Sequence, residues 1–302
     1  MIRTICKLGP VLLVLCPLYA MAQKSVSESA PMAASGTLDV SNVSGEVVIR
    51  GWDRAEVEVK GEIGHEQKLD FSADGDHTRI EVHSESHHND DEDADLVINA
   101  PSTARVRANT VSASLKVLGM TAELELQSVS GDVDAEIFGS DVTLGTISGT
   151  LEVAGHHKAA EMRINVISGD AWVRDIDGDL TARTVSGDLN IRAGTLRRAR
   201  VDTTSGDVHV EASLDSDARF EVGSTSGDLV LELCDKPAGD YELSSFSGDI
   251  EAYDRHGEPR SEHGPTTELR FTQPGKGDAK GNALVRVESL SGEILIDDCR
   301  GK

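Results

Sequence analysis

An all-β fold is predicted for this 302-residue chain, and within that class a parallel β-solenoid, or β-helix, with rungs of about 18–21 residues and an N-terminal β cap. Two observations carry the prediction. A Ser-Gly-Asp tripeptide or a near copy returns at Ser44, Ser130, Ser148, Ser168, Ser186, Ser205, Ser226, Ser247 and Ser291, with a degenerate copy at Ser112-Ala113-Ser114; from Ser112 to Ser247 the steps are 18, 18, 20, 18, 19, 21 and 21 residues. Aliphatic residues also keep phase with it. They stand two and four residues after each glycine, as at Val133 and Ala135, Leu189 and Ile191, or Val208 and Val210.

The elements follow from the pattern around the glycine. Polar residues such as Asp134, Glu152, Asn190 and His209 separate the aliphatic ones, so the segment after the glycine alternates with period two and reads as a half-buried strand. A second strand precedes the glycine, with apolar residues five and seven positions upstream (Leu126 and Leu124, Ile164 and Met162). Two positions upstream the chain is apolar again, at Val129, Ile147, Ile167, Val185, Phe246 and Leu290, which breaks the alternation and demands a bend. There the glycine supplies backbone freedom and the following Asp can accept a backbone hydrogen bond. So small a unit cannot bury its own apolar face, but copies stacked ~4.8 Å apart form one continuous core.

Composition sets the compartment. Met1 to Ala22 has basic Arg3 and Lys7, an apolar stretch from Val11 to Leu18 and Ala20-Met21-Ala22 before Gln23, as in a secretory signal peptide. The apolar run is too short to span a bilayer, and Leu15 stands before Cys16 where a lipoprotein signal has a small residue. A periplasmic or cell-surface location is expected. Loss of two cations takes the net charge from −24 to −26. That acidity argues against nucleic acid and anionic membranes as partners and discourages self-association, so a monomer is expected.

The mature chain divides into a Ser/Ala-rich flexible linker (23–35), an N-terminal capping region (36–103), regular rungs (104–253), a Gly/Pro-rich inserted loop or hairpin (254–282) with a strand signal at Glu268 to Phe271, and a terminal rung (283–302) closing the far end. Cys234 and Cys299 each lie seven residues after a repeat glycine and share a column. The Ser247 rung intervenes and sets them at least ~9.6 Å apart in a regular stack. Two free thiols are therefore expected, unless the insertion folds the chain back toward the Cys234 rung.

The opening Leu38-Asp39-Val40 to Ser44-Gly45-Glu46-Val47, then Gly51-Trp52-Asp53, Asp95-Leu96-Val97-Ile98 with Pro101, and the Ser-Gly-Asp rungs resemble the bacterial putative-adhesin family of β-strand-repeat proteins, over nearly all the mature chain. Ala113 and Thr150 depart from the motif. The resemblance is to a family of undefined function: its motifs bear on the fold, and it brings no catalytic residues.

Sites of chemistry are few. His83, His87, His88, Asp90, Asp91, Glu92 and Asp93 could together hold a divalent cation but lack a fixed ligand spacing, and read as a solvated hairpin loop. His156-His157 reads as a surface turn. The column Asp170, Asp188, Asp207, Asp228 and Asp249 reads as turn-stabilising rather than as a calcium ladder, because Thr150, Glu46 and Glu293 replace the Asp in other rungs. A polysaccharide-active enzyme would want aromatic platforms, and aromatic residues make up 3% of the chain. No catalytic, cofactor-binding or metal-ligating residue is assigned. The expected function is that of an exported, non-catalytic envelope protein, an adhesin or binding scaffold for a protein or cell-surface partner; the alternative is an envelope-stress or signalling accessory protein.

Overall fold

The computed structural model describes residues 23–84, 93–139, 141–234, 236–253, 259–274 and 281–299. The expected signal segment, 1–22, lies outside them. The described residues form strands and turns with no helix. Each unit supplies a leading strand before its glycine and a trailing strand after it, and like strands pair in parallel from unit to unit. Along the leading stack Leu124 faces Val142, which faces Met162, then Leu180, Ala199 and Phe220. Along the trailing stack the equivalent line is Leu115, Val133, Leu151, Ala171, Leu189, Val208 and Leu229. Every residue of both lines is 4% exposed or less, so the predicted aliphatic columns are the core of an all-β, solenoid-like stack.

The order of units in space departs from their order in sequence. Phe220 pairs with Val285, and Val285 with Tyr241; Leu229 pairs with Ile294, and Ile294 with Ile250. Residues 283–297 are therefore inserted between the units 219–233 and 239–253, where the sequence reading placed them at the far end. The unit 37–52 behaves likewise. Its strands Thr37–Asn42 and Gly45–Trp52 pair inward with Arg105–Thr110 and Ser114–Met120, and outward with His77–Ser84 and Ala94–Pro101. It is thus an interior rung of the stack, and Asp95-Leu96-Val97-Ile98 is the trailing strand of the rung outside it.

Antiparallel strands finish both ends. Gln67–Ala73 covers His77–Ser84, and Glu56–Ile63 covers Ala94–Pro101. At the other end Pro265–Gln273 covers Gly239–Ser247, and Pro259–Glu262 covers Ile250–Tyr253. The strand expected at Glu268 to Phe271 lies within Pro265–Gln273. Antiparallel strands interrupt the parallel repeat at the places where another copy would add.

Two further expectations are corrected. Lys24–Pro31 is no flexible linker but a strand, antiparallel to Glu56–Ile63, because Val26 and Ala30 lie on its inner side against the core and Met32 just beyond is 1% exposed. Cys234 and Cys299 form a disulfide with Cα atoms 4.6 Å apart, since the insertion brings the rung of residues 283–297 directly against the Cys234 rung. The condition attached to free thiols is the one the chain meets.

Candidate binding surface

The corner between leading and trailing strands is the most regular part of the molecule. An ideal Cβ built on Gly149 would lie 2.2 Å from the Gly131 carbonyl oxygen; on Gly169, 2.1 Å from that of Gly149; on Gly206, 2.2 Å from that of Gly187. The glycines stack in contact, and a side chain would push rungs apart. The contact follows spatial order, with Gly292 on Gly227 and Gly248 on Gly292. Positive φ is a separate requirement, present at Gly187, Gly206, Gly227 and Gly292 but not at Gly131 or Gly149. In the latter two rungs the glycine amide donates to the hydroxyl of Ser128 or Thr146 in its own corner. In the positive-φ rungs it donates across to the next rung, as Gly187 does to the Ser205 carbonyl at 3.2 Å.

The aspartate column has an equally local purpose. Asp170 Oδ1 accepts the Asp188 amide at 2.9 Å, Asp188 that of Asp207, Asp207 that of Asp228, and Asp228 that of Glu293. Asp132 does the same for Thr150, and Asp95 for Glu46. Each carboxylate thus clips its rung to the next, a charge-assisted bond that also offsets the stacking of like charges.

The apolar residues two positions before the glycines point outward. In spatial order Val43, Val111, Val129, Ile147, Ile167 and Val185 are 42–51% exposed and form an unbroken ridge; Thr204 and Thr225 follow, then Leu290 and Phe246. Beside the ridge runs a groove of about 640 Å³. Its wall is the column four positions before the glycines: Asn109, Gln127, Gly145 and Asn165. Gly145 lacks the close contact of the corner glycines, because a Cβ there would meet nothing nearer than 3.7 Å. A glycine inside a strand weakens it, and here the backbone does not require one. What its missing side chain provides is a notch between Gln127 and Asn165.

The family model described as Toastrack DUF4097 matches residues 36–251. The chain belongs to the Toastrack family. No curated protein matches it. Among solved structures it is similar to one described as a putative lipid binding protein from Parabacteroides distasonis ATCC 8503, at 11% identity over 90% of this chain and 96% of that one (TM-score 0.47). It is also similar to a putative adhesin from the same organism, at 14% identity over 91% and 98% (TM-score 0.41), and to a putative cell adhesion protein from Clostridium sporogenes ATCC 15579, at 11% identity over 92% and 100% (TM-score 0.29).

Other residues singled out in this Toastrack sequence fall mostly into structural roles. Gly51 lies where a Cβ would come within 2.2 Å of the Gly119 carbonyl oxygen, while the Trp52 indole donates to the Glu56 carbonyl at 2.8 Å and carries the Arg54 guanidinium over its ring. Of the His/Asp segment, His87, His88, Asp90, Asp91 and Glu92 lie outside the described residues; His83 faces Asp70 at 3.7 Å. His156 and His157 lie within the strand Leu151–Val166, at an irregularity of its pairing and with positive φ, rather than in a turn; His156 is stacked on Phe138 and His157 is 3.7 Å from both Asp175 and Asp177. Glu211, Cys234 and Cys299 approach one another with metal-like spacing, but both sulfurs are committed to the disulfide.

Among the described residues the largest electrostatic perturbation is at Asp179, where the Arg197 and Arg198 guanidiniums hold the carboxyl down at about 2. A carboxyl with a depressed folded-state value stabilises above its ordinary range and loses that contribution as pH falls. Wild-type protein should therefore show an acid-destabilisation component between about pH 4 and pH 2 that Asp179→Asn lacks, read from melting temperature against pH.

Proposed function

We propose that the mature chain is an exported, non-catalytic binding scaffold of the cell envelope, built as a capped parallel solenoid whose working surface is the ridge and groove of the corner face. The observation that carries this reading is the continuous exposed aliphatic ridge, since side chains of that kind are ordinarily covered by a partner. The groove beside it holds one carboxylate, Glu81, and one imidazole, His83. A glycosidase-type mechanism wants two carboxyl groups facing each other across the bond to be cleaved, and this lining offers a single one. Among the described residues no helix is long and apolar enough to cross a membrane.

The test is recovery of partners from the envelope by the mature protein, identified by mass spectrometry; a scaffold should bring down a defined partner at stable stoichiometry. Purified protein that turned over envelope polysaccharide would overturn the reading. Calcium separates a structural from a ligand-binding aspartate column. Because one oxygen of each of these aspartates is held by the next rung's amide, calorimetric titration should show no stoichiometric high-affinity site, and melting should be unchanged by chelator.

A further inference from the structure

We infer that the groove at Gly145 takes a large apolar side chain from a basic amphipathic helix of a partner polypeptide, laid along the ridge from Val43 to Ile167. This deepens the scaffold reading and rests on it. The ridge is one aliphatic side chain wide, with one chain per rung every ~4.8 Å. A helix advances ~5.4 Å per turn and presents one residue per turn to a line along its axis, so it drifts only ~0.6 Å per rung. An extended strand, with same-face residues ~6.6–6.8 Å apart, falls out of step within two rungs.

Charge selects the sign of the partner. The groove wall is uncharged at Asn109, Gln127 and Asn165, yet three residues beyond each ridge residue stands the corner's acidic position, occupied at Glu46, Asp132, Asp170 and Asp188. Glu46 and Asp132 are exposed, and each aspartate's second oxygen is free to face a cation. On a chain of net charge −24, a second copy would set like columns against each other, whereas lysines beside an apolar stripe meet carboxylates. The notch supplies the anchor. It opens into the groove of about 640 Å³ that runs over several rungs, a volume in the range of ligand sites, and a cost in strand propensity at Gly145 is what a retained gap in the wall would require.

The experiment uses the full mature protein and a synthetic leucine–lysine peptide of about 16 residues with an amphipathic helical repeat, long enough to span the ridge at ~1.5 Å per residue. A leucine–glutamate peptide of the same pattern is the control. Three variants are compared: Gly145→Gln, which fills the notch and for which the Cβ has room; Ile147→Thr/Ile167→Thr, which places on the ridge the residue the column already carries at 204 and 225; and Asp132→Asn/Asp170→Asn. The lysine peptide should bind wild type and the glutamate peptide should not. The first two variants should weaken binding at least tenfold (~1.4 kcal/mol) while melting no lower than wild type, and the third should weaken it and flatten its salt dependence.

Equal binding by wild type and Gly145→Gln would reduce the effect to general attraction by an acidic surface and overturn the proposal, as would equal binding of both peptides or of neither. Self-association of wild type abolished by Ile147→Thr/Ile167→Thr would assign the ridge to a second copy instead. If Gly145→Gln still recovers the same envelope partner as wild type, the scaffold reading stands and only this site falls.

Discussion

Gly206→Val should cost the fold more than about 4 kcal/mol, a large fraction of the stability of a folded domain. Two costs combine. The φ of +132° is one that a β-branched residue resists, and the new Cβ would lie 2.2 Å from the Gly187 carbonyl oxygen, which is backbone and held by the stack on both sides. Neither cost can be relaxed by turning a side chain. Gly145→Ala is the matched control, a glycine in the same kind of unit with no close contact, and should be neutral or mildly stabilising. Urea denaturation followed by circular dichroism would separate the two, and similar midpoints for both variants would mean that the corner stacking is misassigned.

Cys299→Ser should lower stability by about 4 kcal/mol, the chain-entropy value for a bridge spanning 65 residues. Beneath the entropy lies a packing problem. The strand Ile294–Asp297 is only four residues long and lies between two trailing strands, so it depends on being held at its end. Apart from the disulfide, that end is tied by Lys236, whose ammonium is buried between the Tyr253 carbonyl at 2.5 Å and the Asp298 carboxylate at 2.8 Å. Denaturing, non-reducing thiol labelling of wild type should find no reactive thiol at Cys234 or Cys299, and the variant should melt well below it. Full labelling of both cysteines would reject the bridge and, with it, the adjacency of the two rungs.

Much of the fold was legible because a stack repeats its instructions: aliphatic residues at plus two and plus four and the glycine corner each recur, and each copy corrects for noise in the others. What could not be read is the order of the copies. Val285 offers the Phe220 rung a buried apolar partner just as Tyr241 would, so the local pattern is indifferent to which unit comes next. The clue lay in Cys234 and Cys299, which share a column and can bridge only if their rungs are neighbours. Lys24–Pro31 was hidden by its serines and alanines, among which Val26 and Ala30 give only a faint alternation. For the ridge, the apolar residues before the glycine were visible as a break in alternation, but a bend decides which way they point. Gly145 was signalled by being a glycine out of phase with the tripeptide.

The displaced rung bears on how the protein is made. A chain made from its N-terminus presents residue 239 before residue 283, yet the segment 283–297 must come to lie between the units 219–233 and 239–253. Stacking in the order of emergence would place the Tyr241 strand directly on the Phe220 strand, a pairing that satisfies the same apolar columns and must later be undone or prevented. Completion therefore waits for residues near 297 to emerge, and a chain cut short at 282 would lack the inserted rung and be left to pair the Tyr241 strand directly with the Phe220 strand. Oxidation of Cys234 with Cys299 then serves as a chemical record that the late strand has found its place.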